Sequence, residues 1–226
     1  MAKLAWDNTG ERFYETGVKN VALYVFDNTS GQKKYKEGIA WNGVTAISES
    51  PSGAEPTALY ADDKKYLNLL SAEEFAASIE AYTYPDEFAE CDGSASLAEG
   101  FTIGQQARSK FALAYKTTIG NDEAGNSLGY KLHIIYNCLA APSEKAYNTI
   151  NDSPEAITFS WEISTTPVTF TINGKEYSTA CVTIDSRTAD PSKLAALETK
   201  LFGGTEPDSK PTLALPNENY EAMKAA

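Results

Sequence analysis

Few side chains in this 226-residue chain are equipped for covalent chemistry, and their spacing does not assemble them into a site. His133 is the sole histidine. It falls in an alternating stretch on the face shared with Lys131 and Ile135. A nucleophile, histidine and acid arrangement needs a serine on a sharp turn, and no Gly-x-Ser-x-Gly is present. Ser30-Gly31-Gln32-Lys33 fits Ser-x-x-Lys but lies in a glycine-containing loop without companion motifs. Asp86 and Glu87 are paired carboxylates of the kind an acidic run supplies by chance. Gly120 to Gly125 has acids at the wrong alternation for a calcium loop, and no closing glutamate follows. Cys91, Cys138 and Cys181 are odd in number and far apart, and with one histidine no zinc spacing can be drawn. Three reduced thiols made in a reducing cytoplasm are expected, two of them in strands. No catalytic residue, metal or cofactor is expected.

Charge is more informative. Nineteen Lys and Arg against 31 Asp and Glu leave a net charge of −12, which argues against a protein that grips nucleic acid by its phosphates. Eight acids (Glu73, Glu74, Glu80, Asp86, Glu87, Glu90, Asp92 and Glu99) lie between Ser71 and Gly100, with no Lys or Arg among them. Such a run is either a solvated face or a surface selected to repel something. The apolar fraction of 42% suffices for one core, and one β-rich domain over residues 1–204 is expected. No run is long enough to span a membrane and no charged-then-apolar leader opens the chain, so neither insertion nor standard export is expected. The Asn28-Thr29-Ser30 triplet then carries no meaning as a glycosylation site.

The elements follow from periodicity. Phe111, Leu113, Tyr115, Thr117 and Ile119 share one face of a strand, and Tyr130, Leu132, Ile134 and Tyr136 repeat the pattern. Ile157, Phe159, Trp161 and Ile163 alternate with Thr158, Ser160, Glu162 and Ser164, so one face is core and the other polar. Val168–Ile172 and Tyr177–Ile184 form a hairpin across Asn173-Gly174. Earlier strands are predicted at Val18–Phe26, Gly38–Ser48, Thr57–Ala61 and Lys65–Leu70, the last two flanking an Asp62-Asp63-Lys64 turn. The Asn28 to Lys36 loop holds the basic cluster Lys33, Lys34 and Lys36. Asp190 as N-cap, Pro191 at the first position and the stripe Leu194, Leu197 and Leu201 predict a helix over Pro191–Phe202. Gly203-Gly204 ends it. Residues 205–226, with Pro207, Pro211 and Pro216, read as an extended arm, as do residues 1–16. Ser71–Tyr82 fits either period: Ser71 and Glu74 suggest a capping box, while Phe75, Ala77, Ile79 and Ala81 alternate as a strand.

The stretch Ile79–Gly93, IEAYTYPDEFAECDG, resembles a signature of the major tail proteins of long-tailed bacteriophages. Trp41-Asn42-Gly43-Val44-Thr45, Glu49–Pro56 and Leu59–Asp62 are similar to the same family upstream. Ile103–Gln106, Gly129–His133, Ala140–Lys145, Asn151–Ala156 and Ala189–Leu194 continue it downstream. The resemblance covers residues 38 to 204. It implies a mainly β fold, a sandwich or barrel flanked by a helix, and makes Ser71–Tyr82 a strand. It also implies that six copies close into a ring whose inner strands form one continuous barrel, and that rings stack into a tube through which DNA passes without specific binding. The implied partners are further copies, a tail terminator, baseplate or distal tail proteins and a tape measure protein. The implied location is the virion, after synthesis in the bacterial cytoplasm. On that reading Glu74 and Glu80, opposite Phe75 and Ile79 by strand alternation, face the lumen. Thr158, Ser160 and Glu162 then line a lumen or inter-subunit surface. A phage-derived injection particle without a capsid fits the same pattern. A β-sandwich binding module would instead need an exposed aromatic platform, for which Tyr82 and Tyr84 are the candidates, and an enzyme would need a site built from scattered acids.

Overall fold

Alternating runs dominate the sequence, and in the computed structural model they become strands of one large antiparallel sheet. The structure describes residues 4–27, 34–150, 152, 155–205 and 209–224. The Asn28-Thr29-Ser30 triplet, the Ser30–Lys33 motif, Pro207 and most of Asn151–Pro154 lie outside them. In order come β1 (Phe13–Asp27), β2 (Lys34–Tyr35), β3 (Ile39–Ala40), β4 (Val44–Glu49), β5 (Ser52–Gly53), β6 (Pro56–Ala61), β7 (Lys64–Leu70), β8 (Glu73–Glu74) and β9 (Ala76–Ala81). A 3₁₀ turn spans Asp86–Glu90. Then follow β10 (Ala95–Ala98), β11 (Phe101–Ile103), β12 (Phe111–Asn121), β13 (Gly125–Ala140), β14 (Phe159–Thr165), β15 (Val168–Ile172), β16 (Lys175–Thr179) and β17 (Cys181–Asp185), with helices α1 (Pro191–Phe202) and α2 (Pro216–Met223) last.

The main sheet runs β2-β1-β12-β13-β14-β9-β4, with β17 beside β13 and β3 beside β1. Because β3 leads through the turn at Asn42-Gly43 into β4, the chain bridges the two sides of this sheet and wraps it around a single interior. The mainly β class is therefore as expected, and Ser71–Tyr82 is extended rather than helical. Bending a strand as long as β1 requires irregularities. Register shifts fall between Thr16 and Lys19 and between Lys19 and Ala22, where Gly17 and Asn20 take positive φ. β13 also changes partner, from β17 at Ile135 to β14 at Cys138, and Asn137 between them has φ of 49°.

β12 is buried on both faces, and the two faces differ in size. Phe111, Leu113 and Tyr115 join Leu23, Ile79, Phe88, Trp161 and Ile163 inside the barrel. Ala112 and Ala114, with Ala22, form a floor low enough for α1 to lay Leu194, Leu197 and Leu201 on it. Burying each leucine contributes about 1.5–3 kcal/mol. Asp190 caps α1 by accepting from the Ser192 and Lys193 amides. At its other end the Tyr24 hydroxyl donates to the Leu201 carbonyl at 2.5 Å, satisfying a group the helix leaves open.

Three expectations need correction. The hairpin after Asn173-Gly174 ends at Thr179; after Ala180 the chain enters β17, which pairs with β13 instead. The N-terminal segment is strand from Phe13 onward, because Phe13–Thr16 pair with Thr118–Asn121. Residues 209–224 are not an extended arm but a strap. Thr212 N–H donates to Lys200, the Tyr136 hydroxyl donates to the Ala214 carbonyl, and Asn219 of α2 is buried with its amide donating to Tyr136 Oη at 2.6 Å. Pro216 starts this second helix instead of prolonging an extended run, because a proline at the first helical position sacrifices no hydrogen bond.

Candidate functional site

Glu80, Ser160 and Glu162 come together on the outer face of the sheet. Glu80 of β9 lies opposite Ser160 of β14 on one side and Ala46 of β4 on the other. The next row is Ser48, Ser78 and Glu162, and beyond it Ala76 faces Ser164. Their neighbours Ile79, Trp161 and Ile163 point into the barrel, which fixes the polar residues outward by the two-residue period. The result is a shallow face of alanine, serine and glutamate with no basic residue in these rows. Thr158 is exposed just before β14. Glu74 is exposed in the separate two-stranded pair β5-β8, opposite Ser52, so it is not part of these rows.

The acidic run does not act as one surface. Asp92 is buried and accepts from Trp161 Nε1 at 3.0 Å and Lys145 Nζ at 2.7 Å, with Arg108 3.8 Å away. Burial, the largest influence, disfavours the charge of Lys145, yet its hydrogen bond and charge pairing with Asp92, joined by Tyr84, together outweigh this and raise its pKa. Glu90 pairs with Lys36 at 2.6 Å. These contacts explain Ile79–Gly93 in physical terms. Pro85 turns the chain out of β9, the 3₁₀ turn drives Phe88 into an aromatic cluster with Trp41, Tyr84, Phe111 and Trp161, and Asp92 then ties Lys145 to Trp161. Tyr84 belongs to that cluster and Tyr82 is exposed alone, so they do not form a paired platform.

The hairpin expected from Thr57–Ala61, the Asp62-Asp63-Lys64 turn and Lys65–Leu70 is present, but sequence reasoning missed that it stands apart from the main sheet as an arm. β6 and β7 hydrogen-bond only to each other, and Asp62 and Asp63, both at positive φ, close their turn. Leu59 opposite Leu67, and Thr57 opposite Leu69, mark one face; Pro56 opposite Leu70 marks the other. Tyr60 and Tyr66 are each 73% exposed and Leu70 71%. Both faces are thus apolar and open, whereas a half-buried hairpin would show one polar face. The signal was present in LNLL and in ALY, but strand alternation alone does not reveal that neither face meets the core.

His133 lies inside the barrel where the lining turns polar. It stacks on Tyr115 with ring centres 4.8 Å apart and is flanked by Thr117, Thr183, Glu15 and Glu49. Burial, the largest influence, lowers its pKa, with the two glutamates acting in the opposite direction. The free thiols are unreactive in type: burial pushes Cys91 up to about 12 and Cys181 to about 11, and raises Cys138 as well. Among the described residues no group of His, Cys, Asp and Glu is arranged to hold a metal ion, and no helix is long and apolar enough to cross a membrane.

No protein-family model and no curated protein matches this chain. Among solved structures it is similar to a chain in the six-fold symmetrised cryo-EM structure of the anti-feeding prophage baseplate, at 9% sequence identity and a TM-score of 0.35, covering 80% of this chain and 97% of that one.

Proposed function

We propose that this protein is a tail-tube subunit of a long-tailed phage or of a phage-derived injection particle, and that it acts by assembly and not by catalysis. In this reading six copies close into a ring and rings stack into a tube for DNA. Tail terminator, baseplate or distal tail and tape measure proteins are its partners in the particle. The observation that carries the reading is the arm Pro56–Leu70. An isolated two-stranded hairpin is marginal in water, and one with leucines and tyrosines on both faces is a liability unless another chain covers it. The family resemblance of Ile79–Gly93 supports the same conclusion. So does the alanine, serine and glutamate face, whose carboxylates would repel a duplex instead of holding it by counterion release.

Sedimentation and negative-stain microscopy at rising protein concentration test this. Rings or tubes are expected, with an interface of more than about 2,000 Å². Replacing Ala58–Asn68 by a short Gly-Ser turn should leave a folded barrel that no longer assembles. A wild-type protein that stays monomeric at millimolar concentration would overturn the proposal.

A further inference from the structure

The hydrogen-bond pattern around His133 fixes its tautomer. Thr117 gives its hydroxyl hydrogen to Glu15 at 2.5 Å, so its oxygen can only accept from the imidazole Nε2, 3.0 Å away. The neutral ring therefore carries its proton on Nε2 and presents a lone pair at Nδ1. That lone pair lies 3.4 Å from the Thr183 hydroxyl, which can donate to it, and 3.5 Å from Oε1 of Glu49, which cannot. Glu49 is the last residue of β4, just before the short β5-β8 pair through which the chain reaches the arm, and it also accepts from the Tyr115 hydroxyl at 2.5 Å. The charged and titratable groups around the ring are Glu15 on β1, Glu49 on β4, Tyr115 on β12 and Lys131 on β13 itself. Lys131 bonds Glu15 at 2.5 Å, and Cys181 and Asp185 of β17 lie within electrostatic reach of Glu49 and Lys131 respectively.

We propose that His133 is a proton sensor that sets how firmly the end of β4 is held to the barrel. In the neutral state the Nδ1 lone pair faces an anionic oxygen and the two repel. Adding a proton turns Nδ1 into a donor aimed at Glu49, so the interaction changes sign and Glu49 is gripped from two sides. The opposite edge already has its partner in Thr117 and Glu15, so the change is concentrated on β4. Burial opposes the charged ring and places the transition on the acid side of an ordinary histidine.

One histidine gives one imidazole signal, so NMR titration of the full chain reads this group alone. Glu49→Gln, which keeps an acceptor for Tyr115 but removes the charge, should lower the histidine pKa further. Thr183→Val, which removes the donor that favours the neutral ring, should raise it. The Ser50 amide, which donates to Ala76 at 2.8 Å in the last rung of the β4 ladder, reports the grip. Its hydrogen exchange, corrected for intrinsic pH dependence, should slow about threefold or more on acidification, in line with a partly exposed ion pair. In Glu49→Gln that slowing should vanish. A titration insensitive to both substitutions, or a Ser50 amide that responds alike in wild type and Glu49→Gln, would overturn the proposal.

Discussion

Asp92 is a buried carboxylate that holds Lys145 and Trp161 together, and its removal should be felt at once. Asp92→Ala strips the partner from Lys145 and from the Trp161 indole N–H together. Because Lys145 keeps 25% side-chain exposure, part of its charge is recovered by water, and we expect a loss of about 2–4 kcal/mol in urea unfolding, somewhat under the full value for a broken buried pair. Asp92→Asn retains the acceptor for Trp161 and should cost less. His133 makes a second prediction. Its folded pKa is depressed below the unfolded 6.5, so the unfolded chain takes up the proton first as pH falls. Its contribution to stability is therefore complete above about pH 6.5 and declines below it. Unfolding free energy should drop on acidification towards pH 5.5, with a shallower slope in His133→Gln. That global decline is compatible with a firmer local grip on β4, because the first counts the desolvation of the whole ring and the second only its contact with Glu49.

α1 docks through three leucines on an alanine floor, and Leu197 is 2% exposed. Leu197→Asp places an unpaired charge there and should cost about 3–5 kcal/mol or yield insoluble protein, read as melting temperature. Truncation after Gly204 tests the strap in the same way: it removes the acceptor of the Tyr136 hydroxyl and the cover supplied by Leu213 and Met223, so melting should fall. An arm that merely trailed in solvent would leave it unchanged. The contrast between α1 and the strap shows what sequence could and could not disclose. Asp190, Pro191 and the leucine stripe encode α1 locally, through a cap and a period. The strap is held by Lys200 and by Tyr136 and Gly38, the last two distant in sequence, and its prolines look the same whether docked or free. Strand phases were likewise legible around Trp161, where Ser160 and Glu162 point outward as alternation requires. The buried pairing of Asp92 was not, since a carboxylate in an acidic run gives no local sign that Lys145 will reach it.

For the whole molecule the acidic face is the feature whose role assembly would decide. In the tube reading, Glu80→Lys with Glu162→Lys should still permit tubes. DNA should leave such particles more slowly at low salt, recovering as salt rises and screening shortens to roughly 8 Å at physiological ionic strength. Ejection at the normal rate at every salt concentration would assign these residues to the outside, where they aid only solubility. The pairing of β1 with β12 has a different consequence, in time instead of space. Phe13 lies opposite Asn121 and Val25 opposite Phe111, so the first long strand finds its ladder only after roughly a hundred residues have been added. On a ribosome adding about 5–20 residues each second, β1 waits several seconds with the edge that β12 will fill still open. Closure of so long a loop puts refolding in the millisecond-to-second range of β-rich domains. For about the second half of that wait the arm's apolar faces are already synthesised. Contact between nascent chains through those faces then competes with closure of the sheet, a hazard separate from the stability of the finished barrel.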